Sequence, residues 1–430
     1  MTDARDIPVD PTSFAHLAEQ QLTYRIIDTS STADAEAFVR ADARGFLDEE
    51  PTDAVAAADA AAIAERRNIG VFEQGAAVGS WPVATINSWV TPLTVPGGEV
   101  DMWAISSVTV AGTHRRRGVA RALLEGELRA AASAGIAVAG LTVSEATIYG
   151  RYGFASAVPV ARVTVDTRRA RWAGGVPAGT VEYLDKKTLK AELGALHEIA
   201  RTQRAGQIAG WEHRWNRAAG LAEGDTKAAA VRGVRYRDEN GVTRGVMSYR
   251  LAEVPGLFRS ELSINQLCTV SDDALRALWA FAIQHDLVDT VKADQRPLDE
   301  PLPWLVDDRR GVEVTVHDHG WLRVLDVEAA FGARTYRAPV DVVLAVSDPL
   351  GFAAGSWHLQ AGASGVSVTS ADDRAADVTL DVATLSALYV GGVSAVELRA
   401  AGRLDASPEV AASLDDALRT AQAPVLGIWY

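Results

Sequence analysis

A chain of 430 residues with 42 basic and 56 acidic side chains carries a formal net charge of −14, and its 48% hydrophobic and 23% charged composition is that of a globular protein. The length exceeds one typical domain, so two or three cores are expected, and the acidic balance argues against a nucleic-acid partner while favouring cationic small molecules or peptides. A single cysteine excludes an internal disulfide, the N-terminus MTDARDIPVD has neither a basic n-region nor an apolar h-region, and no apolar run is long enough to cross a bilayer, so a soluble cytoplasmic protein without a membrane partner is expected.

Residues 1–20 read as a polar lead-in. LTYRIID (22–28) is a strand, residues 30–46 an N-capped helix, and residues 63–95 the end of a helix followed by a hairpin turning at Gln74-Gly75. Residues 96–110 supply a turn and a long strand that ends in Val108, Thr109 and Val110. This strand runs into AGTHRRRG (111–118) and then into a helix ending at Gly135, with Val119, Leu123, Leu124 and Leu128 on one face. A strand, an arginine-rich loop and a helix N-terminus in that order can hold a diphosphate. The first N–H groups of a helix lack intrahelical partners and carry the positive end of its dipole, Gly118 lets the backbone approach, and Arg115, Arg116 and Arg117 add charged donors. The pattern R-x-x-G-x-A recurs at Arg217 to Ala222, but WEHRWNR before it has no strand character, so that copy is set aside. IAVAGLTVS (136–144) is a buried strand, followed by a short helix and turn in EATIYGRYGF (145–154).

RRARWAGGVPAGT (168–180) reads as a linker. Residues 181–203 are a strand and helix, residues 227–270 a run of strands with a turn at Glu239-Asn240-Gly241, and residues 271–294 a capped helix and strand. The order repeats that of the first domain, with the arginine loop replaced by Ser271-Asp272-Asp273, whose carboxylates repel a diphosphate. Cys268 reads as a buried structural thiol. From residue 308 a third module of strand, helix and paired strands runs to an apolar aromatic tail, APVLGIWY (423–430). The eight histidines lack ligand spacing, so no metal is expected. The fold class is therefore α/β (α+β): two mixed-sheet domains in tandem at 1–165 and 166–307, then an α/β domain at 308–430.

SSVTVAGTHRRRGVARALL (106–124) and VSEATIYGRYGFASA (143–157), together with the domain order, resemble the enhanced intracellular survival (Eis) type acetyltransferases of the GCN5-related N-acetyltransferase (GNAT) superfamily. The resemblance covers nearly the whole chain and implies two GNAT-like domains, the second degenerate, followed by a domain similar to sterol carrier protein. It implies acetyl-CoA as co-substrate, with Val108, Thr109 and Val110 along the acetyl and pantetheine groups. Arg116, Arg117, Gly118, Val119, Ala120 and Arg121 would wrap the diphosphate, Arg115 would be a further contact, and Ser144 and Glu145 would meet the cofactor. Tyr149 would be the general acid, with Tyr152 the competing candidate, and the α-carboxylate of Tyr430 the general base. The acceptor would be an amine of a cationic multi-amine compound, aminoglycoside-like or lysine-like, and the assembly a homohexamer. A phenol with an ordinary pKa of about 10 stays protonated at neutral pH and can serve a departing thiolate, whereas a terminal carboxylate near about 3.5 needs burial to become a base. Two alternatives stand beside this reading: a lipid-binding or carrier protein built on the C-terminal domain, and transfer of a longer acyl group. Asp48, Glu49, Glu50, Glu99 and Asp101, with Trp81, Trp89 or Trp103, are acceptor-pocket candidates left unassigned.

Overall fold

The computed structural model of the protein describes residues 2–254, 258–371 and 373–430; residues 255–257, part of the run of strands expected at 227–270, lie outside them. The N-terminal portion contains α1 (Pro11–Ala18), β1 (Leu22–Ile26), α2 (Thr32–Phe46), α3 (Asp53–Ile63), β2 (Arg67–Glu73), β3 (Ala84–Val95), β4 (Gly98–Val110), α4 (Val119–Ser133), β5 (Val138–Thr142), α5 (Ala146–Tyr149) and β6 (Ala155–Asp166). The middle contains β7 (Thr180–Leu184), α6 (Lys186–Arg201), α7 (Glu212–Ala218), β8 (Val231–Arg237), β9 (Thr243–Glu253), β10 (Ser260–Thr269), α8 (Asp272–Ile283), β11 (Val288–Arg296) and β12 (Val312–Val324). The C-terminal portion contains α9 (Val327–Gly332), β13 (Val340–Ser347), β14 (Gly355–Gly362), β15 (Gly365–Ser370), β16 (Val378–Asp381), α10 (Val382–Leu388), α11 (Ala395–Ala400), β17 (Leu404–Asp405) and α12 (Pro408–Leu418).

Two compact units result, one of residues 1–157, 320–420 and 430, the other of residues 158–319 and 421–429. In the first, the strands lie in the order β1-β2-β3-β4-β5-β12, all neighbours antiparallel except the parallel pair β4/β5. A parallel pair needs a crossover, and α4 supplies it. Leu123, Leu124 and Leu128 of α4 are fully buried with Trp103, Ile105, Ala139 and Leu141 of the sheet. A buried carboxylate pins the same helix: Glu127 accepts from Arg67 Nε at 3.1 Å, from Trp103 Nε1 at 3.2 Å and from Ser88 Oγ. The second sheet of this unit runs β15-β14-β13-β16-β17.

In the second unit the order is β6-β11-β10-β9-β8-β7, with β10/β11 parallel and α8 crossing between them. The series β7-α6-α7-β8-β9-β10-α8-β11 repeats β1-α2-α3-β2-β3-β4-α4-β5 element for element, which is the duplication expected from the sequence. Helix α1 was not expected within residues 1–20. Asp10 caps it by accepting from Ser13 N at 2.7 Å and Pro11 occupies its first turn, a start signal that the polar composition concealed.

Candidate active site

Strand β4 is paired with β3 all the way to Val110, but with β5 only where Met102–Ile105 face Val138–Leu141. Beyond Ile105 the two parallel strands separate. Backbone amides on that edge of β4, at Ser106 to Val110, no longer have β5 as a partner, so an extended ligand carrying amide groups can hydrogen-bond there as an added strand would. A bulge between Thr85 and Asn87 opposite this edge, with Ser107 at φ 55°, marks where β4 changes direction. Val108 and Val110 pack partly on the α4 core, while the buried Thr109 faces the other side and meets Thr85 Oγ1 at 2.6 Å.

The chain leaves β4 through a 3₁₀ turn at Gly112–His114, passes Arg116 at φ 63°, and enters α4 at Gly118, whose φ of 77° is one that glycine adopts without strain. Gly118 is the N-cap and offers no side-chain acceptor, so the first N–H groups of α4 point outward uncapped. Arg115, Arg116 and Arg117 are exposed around them. Arg117 reaches Gln20 O at 3.3 Å, while Arg121 turns along the helix to Glu125 at 2.6 Å. An uncapped, outward helix N-terminus with three cations beside it has the chemistry to hold a diphosphate.

At the far lip of the separation, β5 ends at Thr142. Its hydroxyl donates to the main-chain oxygen of Tyr430, and Tyr430 N–H returns a contact to Thr142 Oγ1 at 3.4 Å. The Tyr430 ring stands edge-on to Trp89, centroids 5.4 Å apart, and Arg66 covers Trp89 at 3.7 Å. Burial holds the Tyr430 phenol above its ordinary range and draws the Arg66 guanidinium down to about 10. Ser144 and Glu145 follow β5 as exposed residues leading into α5, where Glu145 accepts from Thr147 Oγ1 at 2.8 Å. Tyr149 closes α5, is 7% exposed and packs edge-on against Phe154. Burial first, and the neighbouring Tyr152 second, push the Tyr149 phenol above 10, so it remains a proton donor in neutral and mildly alkaline solution. Tyr152 is raised as well, by burial and then by Glu125.

Of the unassigned candidates, Asp48, Glu49 and Glu50 are exposed, Trp103 is a core residue bonded to Glu127, Trp81 lies under Arg44, and Trp89 alone borders Tyr430. Thr142 escaped the sequence reading because nothing local in LTVS marks it; its role comes from a residue 288 positions away. Among the described residues no three His, Cys, Asp or Glu side chains gather as metal ligands, and no helix is long and apolar enough to cross a membrane.

The equivalent place in the second unit is chemically different. Helix α8 is capped by its own Ser271, which accepts from Ala274 N at 3.2 Å, and Asp272 and Asp273 sit in its first turn. A cavity of about 230 Å³ beside it is lined by Cys268, Arg204 and Arg296, yet both arginines are already paired, Arg204 with Asp299 at 3.0 Å and Arg296 with Glu300 at 2.7 Å. Cys268 is buried and its thiol is pushed up to about 11, the inert thiol expected of a core position.

Comparison with known proteins finds matches along most of the chain. Two descriptions of an acetyltransferase (GNAT) domain match residues 27–157 and 206–324, and that of a sterol carrier protein domain matches 327–427. An uncharacterized N-acetyltransferase of Streptomyces avermitilis is 35% identical over 93% of this chain and 97% of its own length. The N-acetyltransferase Eis of Mycobacterium tuberculosis is 34% identical over 78% of this chain and 82% of its own. The crystal structure of Eis1 from Mycobacterium abscessus superposes with a TM-score of 0.80 at 29% identity, covering 95% of this chain and all of that one.

Proposed function

The chain belongs to the Eis-type N-acetyltransferases of the GNAT superfamily, and from that premise we propose that it moves the acetyl group of acetyl-CoA to a primary amine of a cationic multi-amine compound, aminoglycoside-like or lysine-like, by direct attack with both reactants bound. Family membership makes the protein an acetyl-CoA-dependent acetyltransferase; the choice of acceptor and the roles below are our reading.

The pantetheine arm lies along the open edge of β4 at Val108, Thr109 and Val110. The diphosphate sits on the N–H groups of Gly118, Val119, Ala120 and Arg121, with Arg115, Arg116 and Arg117 closing over it and Ser144 and Glu145 bordering the far side. The acceptor nitrogen attacks the thioester carbonyl carbon, the C–N bond forms, and the C–S bond breaks with its electron pair on sulfur. Tyr149 gives its phenolic proton to that sulfur, and the α-carboxylate of Tyr430, where the protein ends at that residue, takes a proton from the nitrogen. The observation that carries this reading is the separation of β4 from β5, with the uncapped α4 at one end and Thr142 holding Tyr430 at the other. The molecule works in the cytoplasm as a homohexamer, and its domains divide at 1–165, 166–307 and 308–430.

The test is thiol release from acetyl-CoA against polyamines, aminoglycosides and lysyl peptides, with longer acyl-CoAs alongside. Release with amines and acetyl-CoA is expected, and Tyr149→Phe lowers kcat by about 10²- to 10⁴-fold with acetyl-CoA affinity kept. A chain extended past Tyr430 also loses turnover. Tight CoA binding with no release to any amine would favour the carrier-protein alternative.

A further inference from the structure

The acceptor reading leaves open which group receives the cation, and α2 carries a candidate. Gly45 brings this helix unusually close to β4: a Cβ there would lie 2.2 Å from Thr109 Cβ, so no larger residue fits. One turn earlier, the same approach sets Asp42 against Ser107, the residue just before the open edge of β4. Ser107 Oγ donates to Asp42 Oδ2 at 3.3 Å and itself accepts from Asn87 Nδ2 at 3.2 Å. The other carboxylate oxygen, Oδ1, is closed off from solvent and has no hydrogen-bond partner in the protein. An ionised oxygen buried without a donor is expensive, and the expense is relieved when a ligand brings one. Asp42 as a whole residue is only partly buried.

We propose that Asp42 is the anionic anchor of the acceptor site, its Oδ1 accepting from an ammonium group of the substrate while Ser107 holds Oδ2. This rests on the amine-acceptor reading above and deepens it: a helix carboxylate beside the β4 bulge contributes to selectivity for multiply cationic acceptors. The surroundings fit. Burial raises the Asp42 carboxyl to about 7 against the opposing pull of Ser107, and Asp48 and then Asp59 raise it a little further, while Thr85 lowers it. From β3 and β4 it is faced by the neutral Thr85, Asn87 and Ser107, and the nearest of their cationic contacts, Arg66, lies 3.5 Å from Asn87 Oδ1. An arriving ammonium therefore meets a carboxylate that it can hold in the ionised form.

The experiment compares wild type with Asp42→Asn, using calorimetric binding of 1,3-diaminopropane, a dication between about pH 5.5 and pH 7.5, and steady-state acetylation of the same diamine. Since Asp42 is neutral below its pKa and charged above it, wild-type affinity should tighten as pH rises through about 7. Asp42→Asn should abolish that dependence and raise the KM for diamine roughly 10- to 100-fold, with the KM for acetyl-CoA unchanged. Ser107→Ala, which leaves the carboxylate but frees Oδ2, should weaken binding less and guards against a folding artefact in the first variant. Equal diamine binding by wild type and Asp42→Asn, or a pH dependence that survives the substitution, overturns the assignment of Asp42. Diamine binding without acetyl transfer by wild type overturns instead the amine-acceptor reading.

Discussion

At the scale of single residues, Gly118 does two things: it turns the chain at φ 77° and it leaves α4 without a side-chain cap. A Cβ at this position meets only His16 Nε2 at 3.4 Å, so replacement is strained by backbone conformation and not by crowding. Gly118→Ala should therefore cost about 1–2 kcal/mol of stability and weaken CoA binding through a shifted loop, a pair of changes measurable by thermal denaturation and by titration with CoA. Wild-type affinity in that variant would mean the helix terminus is not the phosphate site. This residue and its arginines were readable in the sequence because the whole device is contiguous: strand, loop and helix within 106–124. The role proposed for Tyr149 comes from its motif. Nothing in the sequence marks Asp42 for the role proposed above, since a carboxylate in the middle of an amphipathic helix looks like any solvated one.

Among elements, the turn that carries Tyr149 is supported from β12. Arg323 donates to Asp348 Oδ1 and Oδ2, both at 2.7 Å, and its Nε donates to Tyr152 O at 3.1 Å, all with the side chains of Arg323 and Asp348 fully buried. Burial lowers the Arg323 pKa and the Asp348 carboxylate opposes this; the same partnership holds Asp348 below the usual carboxylate range despite its own burial. A buried pair of this kind is strongly destabilising to break, because one charge is left uncompensated. Arg323→Ala should lower unfolding free energy by about 3–5 kcal/mol and, where the protein still folds, reduce kcat more than acetyl-CoA affinity, as read by denaturant titration and steady-state kinetics. A variant as stable as wild type would show that β12 does not brace the Tyr149 turn. No local pattern in DHGWLRVLD announces this role, since Arg323 finds its partners 25 and 171 residues away.

For the whole molecule, the instructive feature is that one order of elements occurs twice with different chemistry. Both copies have the parallel pair and the crossover helix, so the fold does not by itself create the phosphate site proposed here. The difference is concentrated where strand meets helix: arginines and an uncapped glycine before α4, a serine cap and two aspartates on α8. The duplication was visible in the order of hydrophobic runs because strand and helix periods survive divergence, and the acidic start of α8 was visible because charge at a helix N-terminus is a local property. The placement of residue 430 beside Thr142 was not, because it joins the end of the chain to a strand near its first third. The most direct measurement is a crystal structure with CoA bound. The account predicts diphosphate oxygens within hydrogen-bond reach of the N–H groups of Gly118 to Arg121, Arg115 to Arg117 turned onto them, and the thiol at the separation of β4 and β5 within reach of the Tyr149 hydroxyl. A diphosphate bound elsewhere, with this loop open to solvent, would contradict it.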